Sequence, residues 1–202
     1  MMRRILFCMA ALFVSVGAEA ALVAEDLGLP PLRYSATAWA PEDTAGTSSG
    51  RSILAMSGLT PAGDIRTYIV WIKPDGMGNP QVDRVDSTSV PGVVFGDLDW
   101  ADYDQNGLLD LAIAGRSVSV EDTSATLVTG VYRQVSRGTF LPIDFPAQLP
   151  VDSCIVRWVD YDVDGFVDLF IFGRTRSVSR QDGTTYVTPN SARYVYRLSL
   201  IH

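Results

Sequence analysis

Two stretches of this chain carry side-chain oxygens at a spacing suited to holding a hard cation. The first reads Asp102-x-Asp104-x-Asn106-Gly107-x-x-Asp110 and the second Asp160-x-Asp162-x-Asp164-Gly165-x-x-Asp168. Oxygen donors recur at loop positions 1, 3, 5 and 9, and glycine at position 6 permits a sharp turn. Alternate residues point inward in such a wrap, and the position-7 carbonyls, those of Leu108 and Phe166, can add a ligand. The donor set is all oxygen with three or four carboxylates per loop. That favours Ca²⁺ over zinc or copper, which prefer nitrogen and sulfur, and over magnesium, which usually keeps several waters. The spacing begins like an EF-hand, but position 12 is Ile113 or Ile171 instead of glutamate. The flanks read as strands. The competing explanation is a pair of plain Asp/Gly-rich turns. Its weakness is electrostatic, because carboxylates crowded without a cation repel one another or must raise a pKa.

The loops sit inside a repeat. Leu98 to Arg116 aligns without gaps on Val156 to Arg174 at an offset of 58, with ten of nineteen positions identical. A weaker copy begins at Trp39, and its Gly58 precedes Gly115 by 57 residues. The weaker copy lacks the metal spacing, although Glu42, Asp43, Thr44, Ser48 and Ser49 lie in its loop. Asp97 and Asp99 are expected to shape the local potential of the second copy, not to bind its ion. Each period holds strands rich in Val, Ile, Leu, Tyr and Phe, punctuated by Gly, Pro, Asp and Ser, with no helical pattern. Thr67–Lys73, Leu127–Arg133 and Ala192–Leu198 are expected as a later strand of each copy, the last two sharing Val-Tyr-Arg. The fold expected is all-β, with about three four-stranded β-propeller-like blades, incomplete or assembling. The repeats run roughly over 35–95, 96–153 and 154–202.

Residues 1–20 have the layout of a secretory signal peptide. Arg3 and Arg4 precede an apolar run, and Ala18-Glu19-Ala20 supplies a cleavage site. The apolar run is too short to span a bilayer. The mature chain, 21–202, is expected to be secreted, periplasmic or extracellular, with no membrane span. It would hold 14 bases and 22 acids, seven of the acids in the two loops. Cys154 is its single cysteine, which excludes an intramolecular disulfide and suits a small buried hydrophobe.

The runs Trp100-Ala101-Asp102-Tyr103-Asp104-Gln105-Asn106-Gly107 and Trp158-Val159-Asp160-Tyr161-Asp162-Val163-Asp164-Gly165, each followed by Asp-Leu, resemble FG-GAP/VCBS-type repeats. These build the propeller of integrin α-chains and of many bacterial extracellular proteins. The resemblance covers essentially all of the mature chain. It implies calcium ligands at Asp102, Asp104, Asn106, Asp110, Asp160, Asp162, Asp164 and Asp168, with the ions bracing loops. A propeller closes with about 4–8 blades, so three leave open edges. A fragment of a longer chain, an assembly such as a dimer of six blades, and a small open β-fold all remain open.

The function expected is a calcium-stabilised repeat module that binds a protein or glycan partner, for instance in adhesion. Ser117–Ala125 and Arg176–Pro189 are the expected variable contact loops. The acidity argues against nucleic acid. The competing function is a part of an extracellular polysaccharide-degrading enzyme. The chain has a single histidine, His202, and no G-x-S-x-G, phosphate loop or zinc set, so no catalytic residue is nominated. Trp39, Trp100 and Trp158 share a repeat position, which points to packing. Trp71 stands apart as a candidate sugar platform.

Overall fold

The computed structural model describes the backbone of residues 11–12, 23–24, 26–42, 50–117, 126–144, 151–181 and 184–196, and the side chains of those that fall within 26–175. It divides into two units, Met1–Pro31 and Leu32–His202. In the first, the two-residue strands β1 (Ala11–Leu12) and β2 (Val23–Ala24) pair antiparallel. The rest of the expected signal peptide lies outside the described residues.

The second unit is all-β. β3 (Arg33–Pro41), β4 (Ser52–Leu59), β5 (Ile65–Pro74) and β6 (Pro80–Pro91) form one sheet in chain order. β7 (Val94–Ala101), β8 (Asp110–Arg116), β9 (Leu127–Ser136) and β10 (Thr139–Pro142) form the next. β11 (Asp152–Val159), β12 (Asp168–Gln181) and β13 (Thr184–Tyr196) form the third. All neighbours are antiparallel. Each repeat is therefore one meander. The third has three strands among the described residues where four were expected, and no closed barrel or propeller is found among them. A second expectation is corrected. Arg176–Pro189 is not a loop, because β12 and β13 stay paired through it, from Arg176↔Pro189 to Gln181↔Thr184. Its polar residues conceal a long hairpin. Ser117–Ala125 lies almost wholly outside the described residues.

The first strands bring the sheets together. β3 packs beside β7, and β7 beside β11. Ala38, Ala40, Ile53, Ile69 and Trp71 of the first sheet share one core with Leu98, Trp100, Leu111 and Ile113 of the second. Ala112, Ala114 and Val131 share another with Val156, Leu169 and Ile171 of the third. The apolar residues of these strands are thus divided between two inter-sheet cores.

A repeated irregularity shapes each first strand. β3, β7 and β11 all slip register near their start, between Arg33/Ala36, Val94/Asp97 and Asp152/Ile155. Inside each slip sits a residue in the left-handed region: Tyr34 (φ 52°), Phe95 (φ 50°) and Ser153 (φ 48°). The glycines at matching places in the adjoining strands, Gly58, Gly115 and Gly173, face these bulges. A Cβ there would come within 2.9 Å of Arg33 O, 2.8 Å of Gly96 Cα and 2.7 Å of Cys154 Cβ, respectively. The periodic glycine of the sequence therefore exists to let the bulge approach.

Candidate metal sites

Both aspartate loops connect the first and second strands of their meanders, β7 to β8 and β11 to β12. Position 9 begins the second strand in each, so Asp110 and Asp168 are held on a sheet and fully buried. The remaining ligand candidates ride on the turn. Position 4 is left-handed in both, at Gln105 (φ 57°) and Val163 (φ 59°), and the glycine at position 6 likewise, at Gly107 (φ 85°) and Gly165 (φ 92°).

The two loops are built on the same hydrogen bonds. Asp102 Oδ1 and Oδ2 accept from the amides of Asn106 (2.9 Å) and Gly107 (2.8 Å). Asp160 does so from Asp164 and Gly165, both at 3.1 Å. The amide of Leu108 donates to Asn106 Oδ1 at 2.7 Å, and that of Phe166 to Asp164 Oδ1 at 2.9 Å. Tyr103 N–H donates to Asp110 Oδ2 (3.1 Å), and Tyr161 N–H to Asp168 Oδ2 (3.2 Å). These bonds fix the side chains at positions 1, 5 and 9 against the turn in both loops.

Two acidic clusters able to hold a metal ion result. Asp102, Asp104 and Asp110 form one and Asp160, Asp162 and Asp164 the other, with ligand oxygens in each lying within 4.8 Å of one another. Two oxygens on opposite sides of a calcium ion, each at 2.3–2.6 Å, stand about 5 Å apart. The spacing and the all-oxygen chemistry therefore fit that ion. Among the expected carboxylate ligands, only Asp168 lies outside these clusters.

Electrostatics favours a cation in the first loop. Burial pushes the Asp110 carboxyl up to about 7, and the negative charges of Asp104 and Asp102 add to the rise, against the lowering effect of the Gln134 and Tyr103 amides. One positive group already answers this charge: Arg133 Nε lies 2.5 Å from Asp104 Oδ2. Gln134 ties the loop to the β9–β10 hairpin. Its amide donates to Asp110 Oδ1 (2.7 Å), its side chain donates to Leu109 O (2.8 Å), and its Oε1 accepts from Gly138 N (2.8 Å).

Arg133 and Gln134 were not nominated from sequence. The shared Val-Tyr-Arg was the signal for Arg133, and nothing in the spacing marks Gln134. Asp97 and Asp99 lie outside both acidic clusters. They reach across to the third sheet, where Asp97 Oδ2 accepts from Val156 N (3.0 Å) and Asp99 Oδ2 from Trp158 N (2.8 Å). Trp71 is not a sugar platform. It is 1% exposed, flanked by the guanidiniums of Arg137 (4.4 Å from the ring centroid) and Arg84 (5.1 Å), and its Nε1 donates to Asp86. Arg137 also pairs with Glu42, which locks the β9–β10 turn onto the first sheet.

Comparison with protein-family models, curated proteins and solved structures returns no match.

Proposed function

We propose that the chain is a repeat module of FG-GAP/VCBS type, built of blade-like meanders and braced by two structural calcium ions. The observation that carries this reading is the duplicated loop. Two stretches 58 residues apart fold on the same backbone bonds, and each gathers three carboxylates, at positions 1, 3 and 9 in the first and at positions 1, 3 and 5 in the second. Asp102, Asp104, Asn106, the Leu108 carbonyl and Asp110 would hold one ion. Asp160, Asp162, Asp164, the Phe166 carbonyl and Asp168 would hold the other. The ion supplies charge neutralisation and cross-links the turn to the buried start of the following strand. The ligand set is nearly full on each side, which suits a brace better than a site for substrate.

Removing metal is the test. Calcium should raise the melting temperature by several degrees over the chelated protein, and the double variant Asp102→Asn/Asp160→Asn should lose most of that rise. The scale follows from mass action, about 2.7 kcal/mol for one ion at a hundred times its Kd. An identical melt in calcium and in EDTA would remove the proposal.

A further inference from the structure

The two loops touch. Gln105, at position 4 of the first, donates from Nε2 to the carbonyl of Gly165, at position 6 of the second, at 3.3 Å. Tyr103, at position 2, stacks on Trp158, two residues ahead of Asp160, with the rings 4° from parallel and their centroids 5.9 Å apart. Trp158 is itself anchored on the second sheet, donating from its amide to Asp99 Oδ2 and from Nε1 to Asp99 O (3.2 Å). The residues between ligand positions in one loop are therefore the contacts to the other. The equivalents in the second loop, Tyr161 and Val163, are exposed (65% and 85%).

We infer that Gln105 and Tyr103 are positioning residues that couple the two cation sites, so that filling either loop raises the affinity of the other. This rests on the calcium reading above. The turn carrying Asn106 and Gly107, and the turn carrying Asp164 and Gly165, are exposed. Their carboxylates repel one another without an ion. The bond from Gln105 to Gly165 requires both turns to hold their ligating shape at once. An ion in one loop fixes that shape and places the bonding partner for the other, so the second ion meets a turn already ordered. Electrostatics opposes this, because the first ion weakens the negative field at the second site. That opposing effect is screened by salt, whereas the contact is short-range. Coupling of this kind should therefore grow more visible as ionic strength rises. Contacts of this type, one neutral hydrogen bond and one aromatic stack, correspond to coupling of roughly tenfold.

The test is a calcium titration of the full chain in 0.15 M salt, read by calorimetry and by terbium luminescence. Asp102→Asn isolates the second site and Asp160→Asn the first. Each remaining site should bind about tenfold more weakly than in the parent chain. Gln105→Ala and Tyr103→Leu, which keep every carboxylate, should retain two sites while reducing the coupling to about threefold or less. Hydrogen exchange at Gly165 should slow when calcium fills the first loop of Asp160→Asn, and should not in Gln105→Ala/Asp160→Asn. Gln105→Ala, on an exposed side chain, keeps the test open if Tyr103→Leu fails to fold. Calcium binding with unchanged affinity in the single-site variants would overturn the coupling and leave the calcium reading standing. No calcium binding in the parent chain would overturn both.

Discussion

Individual side chains in this chain do one of two jobs, gathering charge in a loop or tying one sheet to the next. Arg116 and Asp152 do the second. Their ion pair, Nη2 to Oδ2 at 2.6 Å, joins the end of β8 to the start of β11, and the side chains are only 12% and 2% exposed. A pair this buried is costly to break, because the survivor keeps a desolvated charge. Asp152→Ala should destabilise the fold by about 3–5 kcal/mol in a urea titration, and Arg116→Met added to it should recover part of the loss. A loss under 1 kcal/mol would mean that the pair is solvated. Residue-level legibility was uneven for a physical reason. The loop aspartates were readable as two carboxylate clusters because their spacing is local. Asp97 and Asp99 were not, since their partners, Val156 N and Trp158 N, lie 59 residues away. Trp71 was misread because tryptophan suits both a platform and a core, and only the Arg84 and Arg137 guanidiniums around it decide between them.

At the scale of elements, the meander repeats more faithfully than the sequence. The first copy shares little of the loop motif, yet β3 carries the same bulge, at Tyr34, as β7 and β11 at Phe95 and Ser153. The glycine facing the bulge is the readable trace of it. Gly173→Ala would push a methyl against Cys154 Cβ at 2.7 Å and Val151 Cβ at 3.0 Å. That clash should cost about 1–3 kcal/mol, measured by chemical denaturation. No loss would show that the bulge can retreat from β12. The bulge itself could not be foreseen, since tyrosine, phenylalanine and serine share no preference for positive φ. The β12–β13 hairpin was hidden differently. Its Ser, Arg, Thr and Gln residues have the composition of a loop, and only backbone pairing shows that they extend the strands.

At the scale of the molecule, the indole of each later repeat reaches back one repeat. Trp100 Nε1 donates to Ala38 O at 3.0 Å and Trp158 Nε1 to Asp99 O at 3.2 Å, each carbonyl belonging to the residue before the earlier tryptophan. Trp39, first in the series, is 45% exposed. The packing expected of all three tryptophans thus holds for Trp100 and Trp158, which mark the sheet junctions, and not for Trp39, whose ring stays exposed. The loops lie along these same junctions, so a cation in each would brace the stack where two meanders join. Bound calcium would also offset four of the eight excess negative charges expected for the mature chain.

The direct measurement is the number of calcium ions held per chain. Calorimetry on the chelator-stripped protein should show two ions bound per chain, falling to one in Asp102→Asn or Asp160→Asn and to none when both are changed. Calcium heat that is absent, or that survives unchanged in the double variant, would contradict the account.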